Sequence, residues 1–231
     1  MSHSTVHRIW RAHALTPHRI ETFKFSTDPA AEEKIHDVVG LYMEPPTHAV
    51  VLSVDEKTQI QALNRTQPLL PLRPGVPARQ THAYRRNGLT RLYPALEVAS
   101  GTVVGACRAR HTGADFLQFL NVPARQYRRR DLHVVLDNSS THKTPDVRAW
   151  LEAHPRVHVH FTPTGASWLN MVEAWFSILT RKSVRRGSFD TVRALITHIQ
   201  RYMKHWNDHP TPFVWTKDPA AIIKKALRRA H

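Results

Sequence analysis

Three acidic residues stand where metal-dependent chemistry could use them. Asp55 closes the apolar run "AVVLSVD", Asp137 closes "LHVVLD", and Glu173 lies inside "SWLNMVEAWFSILTRK". Side chains alternate along a strand, so Asp55 shares a face with Ser53 and Val51, and Asp137 with Val135 and His133. Open α/β sheets bind ligands outside the carboxyl ends of their strands, and adjacent parallel strands would hold the two carboxylates side by side. Two like charges so placed need a cation. Hard divalent ions such as Mg²⁺ or Mn²⁺ take oxygen ligands, and two ions about 3.5–4 Å apart can activate a nucleophile and stabilise the departing oxygen of an in-line phosphoryl displacement. A single Asp after a strand is usually a turn residue or a helix cap. Three acids together on a basic background favour the metal reading.

The elements that must position these acids can be read from periodicity and breakers. "AVVLSVD" (49–55) is a buried strand, and "TQIQAL" is either its hairpin partner or a ragged extension of it. Residues 66–88, rich in proline, read largely as loop. "TRLYPALEVA" and "TVVGACRAR" flank Ser100-Gly101 as a hairpin. A helix over 114–120, a strand over 132–137, a helix over 146–154 and a strand over 157–161 follow. Long helices over 167–182 and 189–207 complete the order. Ser167 is the expected cap of the first of these. Trp168, Val172, Trp175 and Leu179 are expected to form its apolar stripe, with Asn170 one turn before Glu173 on the same face. The order predicts an α/β, ribonuclease-H-like fold, a mixed sheet flanked by helices. Ahead of it, residues 1–20 read as a short helix capped by Ser4, and residues 21–47 as a linker with a small helix ending at Gly40. Residues 48–231 form the main domain.

Composition narrows the partners. Thirty-three Lys and Arg against 18 Asp and Glu leave a net charge of +15, spread over "RQTHAYRRNGLTR", "RQYRRR", "LTRKSVRR" and "KKALRR". Such a surface attracts polyanions, with nucleic acid the favoured partner and a solvated basic face the plain alternative. The loop 66–88 could track a DNA backbone or stay solvated. Arg73, Arg79, Arg85, Arg86, Arg181 and Lys182 are the candidate DNA contacts. The longest apolar runs are strand-sized and the first residues lack a signal peptide's apolar core, so neither membrane insertion nor secretion is expected. The single cysteine, Cys107, cannot form an internal disulfide and fits the cytoplasm. The 17 histidines include His158 and His160, alternating on one strand without a Cys or HExxH partner, so zinc is not expected. Trp206 and Trp215 either pack the core or contact another protomer.

"SVDEK", "LDNSSTHK" and "FTPTGASWLNMVEAWF" resemble the catalytic motifs of DDE transposases from bacterial insertion sequences of the mariner-related superfamily, with 35 residues between Asp137 and Glu173. The resemblance extends over "RPGVPARQTHAYRRNG" and "PFVWTKDPAAII". It implies that Asp55, Asp137 and Glu173 are a catalytic triad holding two Mg²⁺ or Mn²⁺ ions, with Asn138 and His142 as active-site neighbours. It further implies cut-and-paste transposition on double-stranded DNA by a homodimer at the bacterial nucleoid. The chain departs from its relatives at Ser139, where they carry a bulky aromatic residue. "STVHRIWRAHALTPHR" resembles the last helix of the family's helix-turn-helix module, so the expectation is an N-terminally truncated chain that binds DNA with little sequence discrimination. The alternatives are a remnant that only binds DNA or a full-length transposase, and a nuclease of the same fold.

Overall fold

The computed structural model describes residues 2–12, 26–67, 70–71, 73–77 and 83–226. Among them are six strands: β1 (Ala49–Val54), β2 (Lys57–Arg65), β3 (Tyr84–Glu97), β4 (Val103–Arg108), β5 (Asp131–Leu136) and β6 (Val157–Phe161). The helices are α1 (His3–Ala12), α2 (Ala31–Met43), α3 (Gly113–Gln126), α4 (Pro145–Glu152), α5 (Val172–Lys182), α6 (Val192–Asp208) and α7 (Pro219–Ala226). β1, β5 and β6 run parallel, whereas β3 pairs antiparallel with β1, β2 and β4.

The strand β1 lies between β3 and β5, and all six of its residues are buried. Its run of apolar residues, interrupted only by Ser53, reflects cover on both faces. The two-residue period sends Val50, Leu52 and Val54 towards Phe116, Phe119 and Leu120 of α3 and Val147 of α4. Val51 goes the other way, into a core shared with Ile35, Val38 and Val39 of α2, Trp175 and Leu179 of α5, and Leu195 and Ile199 of α6. The result is a mixed sheet covered by helices on both faces, the ribonuclease-H-like α/β fold expected from the element order. The helix expected between residues 21 and 47 therefore contributes directly to the larger core.

The strand β2 is an extension of β1. Leu52↔Glu97 and Val54↔Ala95 on one side of the break and Lys57↔Leu92 on the other keep a single antiparallel register along β3. That register sets Asp55 opposite Pro94, which has no N–H to offer a ladder. The chain thus leaves regular pairing at the two residues, Asp55 and Glu56, whose side chains are acidic. Farther along β2, Gln59 adopts a left-handed φ of 60° at a register shift between Lys57 and Ile60.

Several local expectations are corrected. The hydroxyl of Ser2, not Ser4, accepts the Thr5 N–H at the start of α1 (3.2 Å), and residues 13–25 lie outside the described residues. The helix α2 runs through Gly40, which is exposed, and stops before Pro45-Pro46. Strand β3 begins at Tyr84, inside the segment read as loop. Helix α3 reaches Gln126, well past Leu120, and starts from a capping box between Thr112 and Asp115. The expected helix over 167–182 is a 3₁₀ turn, Ser167–Leu169, followed by α5, and Ser167 makes no capping hydrogen bond. Trp168 is 45% exposed whereas Trp175 is fully buried, so Trp168 lies outside the apolar stripe.

Candidate active site

Asp55 and Asp137 each follow the last residue of a strand. The β1–β5 register pairs Ala49 with Asp131 and Ser53 with Val135, and continued two residues further it sets Asp55 level with Asp137. Neighbouring strands lie about 4.8 Å apart. Odd-numbered positions on both strands point towards the α2/α5 layer, and α5 brings Glu173 in its first turn.

Glu173 is brought there by a buried polar clamp. The hydroxyl of Ser53 donates to Oδ1 of Asn170 and accepts the Val172 N–H at 2.9 Å. Nδ2 of Asn170 donates to the carbonyl of Val54 at 2.7 Å. Ser53 and Asn170 are essentially inaccessible. The end of β1 is therefore tied to the start of α5 immediately before both acids. Asn170 belongs to the site as expected, but it works as a bolt between strand and helix and not from a helical face one turn before Glu173.

The acids stand close enough to affect one another's charge. Asp55 is 8% exposed. Burial, and then the negative charges of Asp137, Glu173 and Glu56, push its carboxyl up to about 7, against the pull of a hydrogen bond from the Glu56 N–H. The carboxyl of Asp137 is held below its usual range: burial opposes this, but His142 donates to it and the Ser139 N–H also bonds it. Nδ1 of His142 lies 2.9 Å from Oδ1 of Asp137. His142 is buried, which pulls its imidazole down, yet Asp137 and Glu56 on its two sides raise it to about 9. Its ring is seated against Phe116, with centroids 4.3 Å apart.

Glu56 and His111 were not legible as site residues. Glu56 points to the α3 side of the sheet, where its carboxylate meets Nε2 of His111 and stands 3.8 Å from Nε2 of His142. His142 thus bridges Asp137 to Glu56. Glu56 could have been suspected from "SVDEK", because the residue after a strand-end ligand points into the opposite layer. His111 carried no such signal. Asn138, the other expected neighbour, donates to Thr164 Oγ1 at 3.0 Å and accepts from Lys143, so it braces the turn after β6.

The donor set offered by Asp55, Asp137 and Glu173 is all carboxylate oxygen, the kind that hard divalent cations take. Among the described residues no three His, Cys, Asp or Glu side chains already converge at metal-binding distance. The mutual repulsion felt by Asp55 is the charge imbalance that a cation would neutralise.

The candidate DNA contacts lie elsewhere on the surface. Arg85 and Arg86 are exposed at the start of β3, opposite Asn64 and Leu63 of β2. The Phe189 N–H donates to the Leu63 carbonyl at 2.9 Å, and Arg65 bonds the Arg185 carbonyl, so the basic segment 185–186 closes on the same ribbon. Arg181 and Lys182 are exposed in the last turn of α5. Arg73 is exposed in a short bridge with Val76, and Arg79 lies outside the described residues. No helix among the described residues is long and apolar enough to cross a membrane.

A family model described as DDE superfamily endonuclease matches residues 50–196. The "Insertion element IS630 uncharacterized 39 kDa protein" of Shigella sonnei is 25% identical over 121 residues, covering 51% of this chain and 35% of that protein. The chain thus spans about a third of the length of this relative. In shape, the chain is similar to the Mos1 strand transfer complex (TM-score 0.59, 16% identity, 99% of this chain and 65% of that one). The Mos1 mariner paired-end complex with Mn gives a TM-score of 0.60 at 16% identity, over 98% of this chain and 68% of that one. The catalytic domain of Mos1 mariner transposase gives 0.52 at 14% identity, over 91% and 92%. These likenesses establish the fold.

Proposed function

The chain belongs to the DDE superfamily of endonucleases, and we propose that residues 48–231, with α2 packed into their core, are a transposase catalytic domain that cleaves DNA strands at the ends of a mobile element and joins the freed 3′-hydroxyl to target DNA. The matched level of Asp55 and Asp137 on neighbouring parallel strands, with Glu173 bolted beside them through Ser53 and Asn170, carries this reading. The insertion-element relative and the paired-end complexes support it.

Asp55, Asp137 and Glu173 would hold Mg²⁺ or Mn²⁺, two ions per site; the carboxylate-only donor set and the Mn and Mg complexes of Mos1 support the choice of ion. When bound, such ions polarise the phosphate and lower the pKa of a coordinated nucleophile. The protein's own part is positional. Asp55 and Asp137 are fixed by strand register, Glu173 by the buried clamp, and Asp137 is aimed by His142, which Glu56 and His111 hold from behind. Outer hydrogen bonds of this kind orient ligands and tune their basicity. The basic ribbon of Arg85, Arg86, Arg181 and Lys182 would meet phosphates, and the chain would act on double-stranded DNA as a homodimer.

Asp55→Asn, Asp137→Asn and Glu173→Gln are each expected to abolish strand cleavage on an end-containing duplex while DNA binding and the circular dichroism spectrum persist. A variant cleaving at the wild-type rate removes its residue from the site. Undiminished cleavage in excess chelator rules out the metal mechanism.

A further inference from the structure

A second polar cluster lies at the β5–β6 edge, and the carboxylate chemistry makes no use of it. His158 and His160 alternate along β6 and so face the same way. The parallel register sets His158 directly across from His133 of β5. The ring centroid of His133 lies 5.0 Å from that of His158 and 5.1 Å from that of His160. Nδ1 of His133 and Nε2 of His160 are 3.0 Å apart. On its other side, Nδ1 of His160 lies 2.7 Å from a carboxylate oxygen of Asp37, on α2.

We propose that His133, His158 and His160 form a binding site for a borderline transition ion, Zn²⁺ foremost, with Asp37 as its supporting carboxylate. Two imidazole nitrogens bound to a tetrahedral ion at about 2.0–2.1 Å stand roughly 3.3 Å apart, close to the separation that His133 and His160 already have. Asp37 accepts the Nδ1–H of His160 and so leaves the lone pair on Nε2, the atom that faces His133. A carboxylate behind a histidine in this way fixes the tautomer and strengthens the ligand. Two ring nitrogens at this distance share a single proton; a cation bound to both lies off the line between them, and the proton leaves to Nε2 of His133 or to solvent.

The third ligand has to move. His158 is exposed at the edge strand and beside His133, so rotation about its side-chain torsions brings a ring nitrogen towards the other two. Water completes the fourth position, as in three-histidine sites. An all-imidazole set selects Zn²⁺, Ni²⁺ or Cu²⁺ over Mg²⁺ and Mn²⁺, so the two clusters on this sheet would bind different ions. The site would join the edge strand β6 to β5 and, through Asp37, to α2.

The test titrates the full chain, stripped with chelator, with Co²⁺ by visible absorption and with Zn²⁺ by calorimetry. The expected result is one saturable Zn²⁺ equivalent and a tetrahedral Co²⁺ band that Zn²⁺ displaces. Both should survive in a variant carrying Asp55→Asn, Asp137→Asn and Glu173→Gln together. His158→Ala and His160→Ala should each weaken Zn²⁺ at least tenfold, and Asp37→Asn about tenfold. The exposed His158 keeps the test valid if His160→Ala proves unstable. Absence of saturable binding overturns the site, as does binding that ignores His158→Ala or that disappears with the three carboxylates.

Discussion

Two polar clusters share one face of β5, and the strand treats them differently. His133 and Asp137 point the same way, separated by Val135 and about 13 Å of strand. Asp137 sits at the C-terminal end of a central pair of strands, beside the nearly inaccessible Asp55 and a helix start pinned by Ser53 and Asn170. His133 faces the edge strand β6, with the exposed His158 across from it and one carboxylate in support. Central placement supplies preorganisation, because every neighbour is itself fixed. Edge placement supplies access and leaves one ligand free to turn. The donors follow suit: hard oxygen where phosphate chemistry needs charge, softer nitrogen where an ion would only join strands.

The largest expected effect separates the two clusters in one assay. Asp137→Asn should eliminate strand cleavage, whereas His160→Ala should leave the cleavage rate within about twofold, since additivity holds for sites this far apart with no shared partner. Loss of cleavage in His160→Ala beyond tenfold, with the fold intact, would make the two clusters one functional unit.

Much of the carboxylate end was legible from sequence, His142 and Asn170 included, whereas the manner in which Asn170 acts and the parts of Glu56 and His111 were not. Alternation along "AVVLSVD" and "LHVVLD" was enough to put Asp55 and Asp137 on one face, because period two is obeyed wherever both sheet faces are covered. Helical spacing in "SWLNMVEAWF" suggested a helix from Ser167, yet the chain spends "SWL" on a 3₁₀ turn so that Asn170 can reach Ser53 and the Val54 carbonyl. That choice depends on a partner 116 residues away, and local propensity cannot register it. The same holds for Glu56 and His111, which meet across the sheet, and for β2, whose partner β3 lies beyond the 66–83 connection.

Removing the clamp comes next in size. Ser53→Ala strips the Val172 N–H and the Asn170 amide of their buried partner, at a cost of about 1–3 kcal/mol in stability, and it loosens the tie between Asp55 and Glu173. Cleavage should fall further than stability alone accounts for, measured well below the denaturation midpoint. A variant destabilised by this amount that cleaves normally would show that Glu173 does not depend on the clamp. Smaller again is Glu56→Gln, which keeps the shape but weakens the grip on His142. Loss of such a supporting carboxylate costs about 10–100-fold in metal affinity or activity, and raising Mg²⁺ should recover part of it. If cleavage is unchanged at limiting Mg²⁺, His142 needs no backing from Glu56.

The smallest effect tests how sharply the clamped end stops. Trp168 and Trp175 stand seven residues apart at what reads as a single helix face, yet Trp168 is 45% exposed and Trp175 is buried against Phe176 and Trp206. Trp175→Ala empties a core site and should cost about 3–5 kcal/mol. Trp168→Ala removes a ring from the outer surface of the 3₁₀ turn, while Leu169 and Asn170 behind it stay buried, so the denaturation free energy should move by less than about 0.5 kcal/mol. The contrast follows from the turn itself: once "SWL" leaves the α-helical period, Trp168 no longer shares the stripe of Val172 and Leu179. Should Trp168→Ala cost 2 kcal/mol or more, the ring would be anchoring the turn, and the bolt between Asn170 and β1 would extend one residue further than its hydrogen bonds indicate.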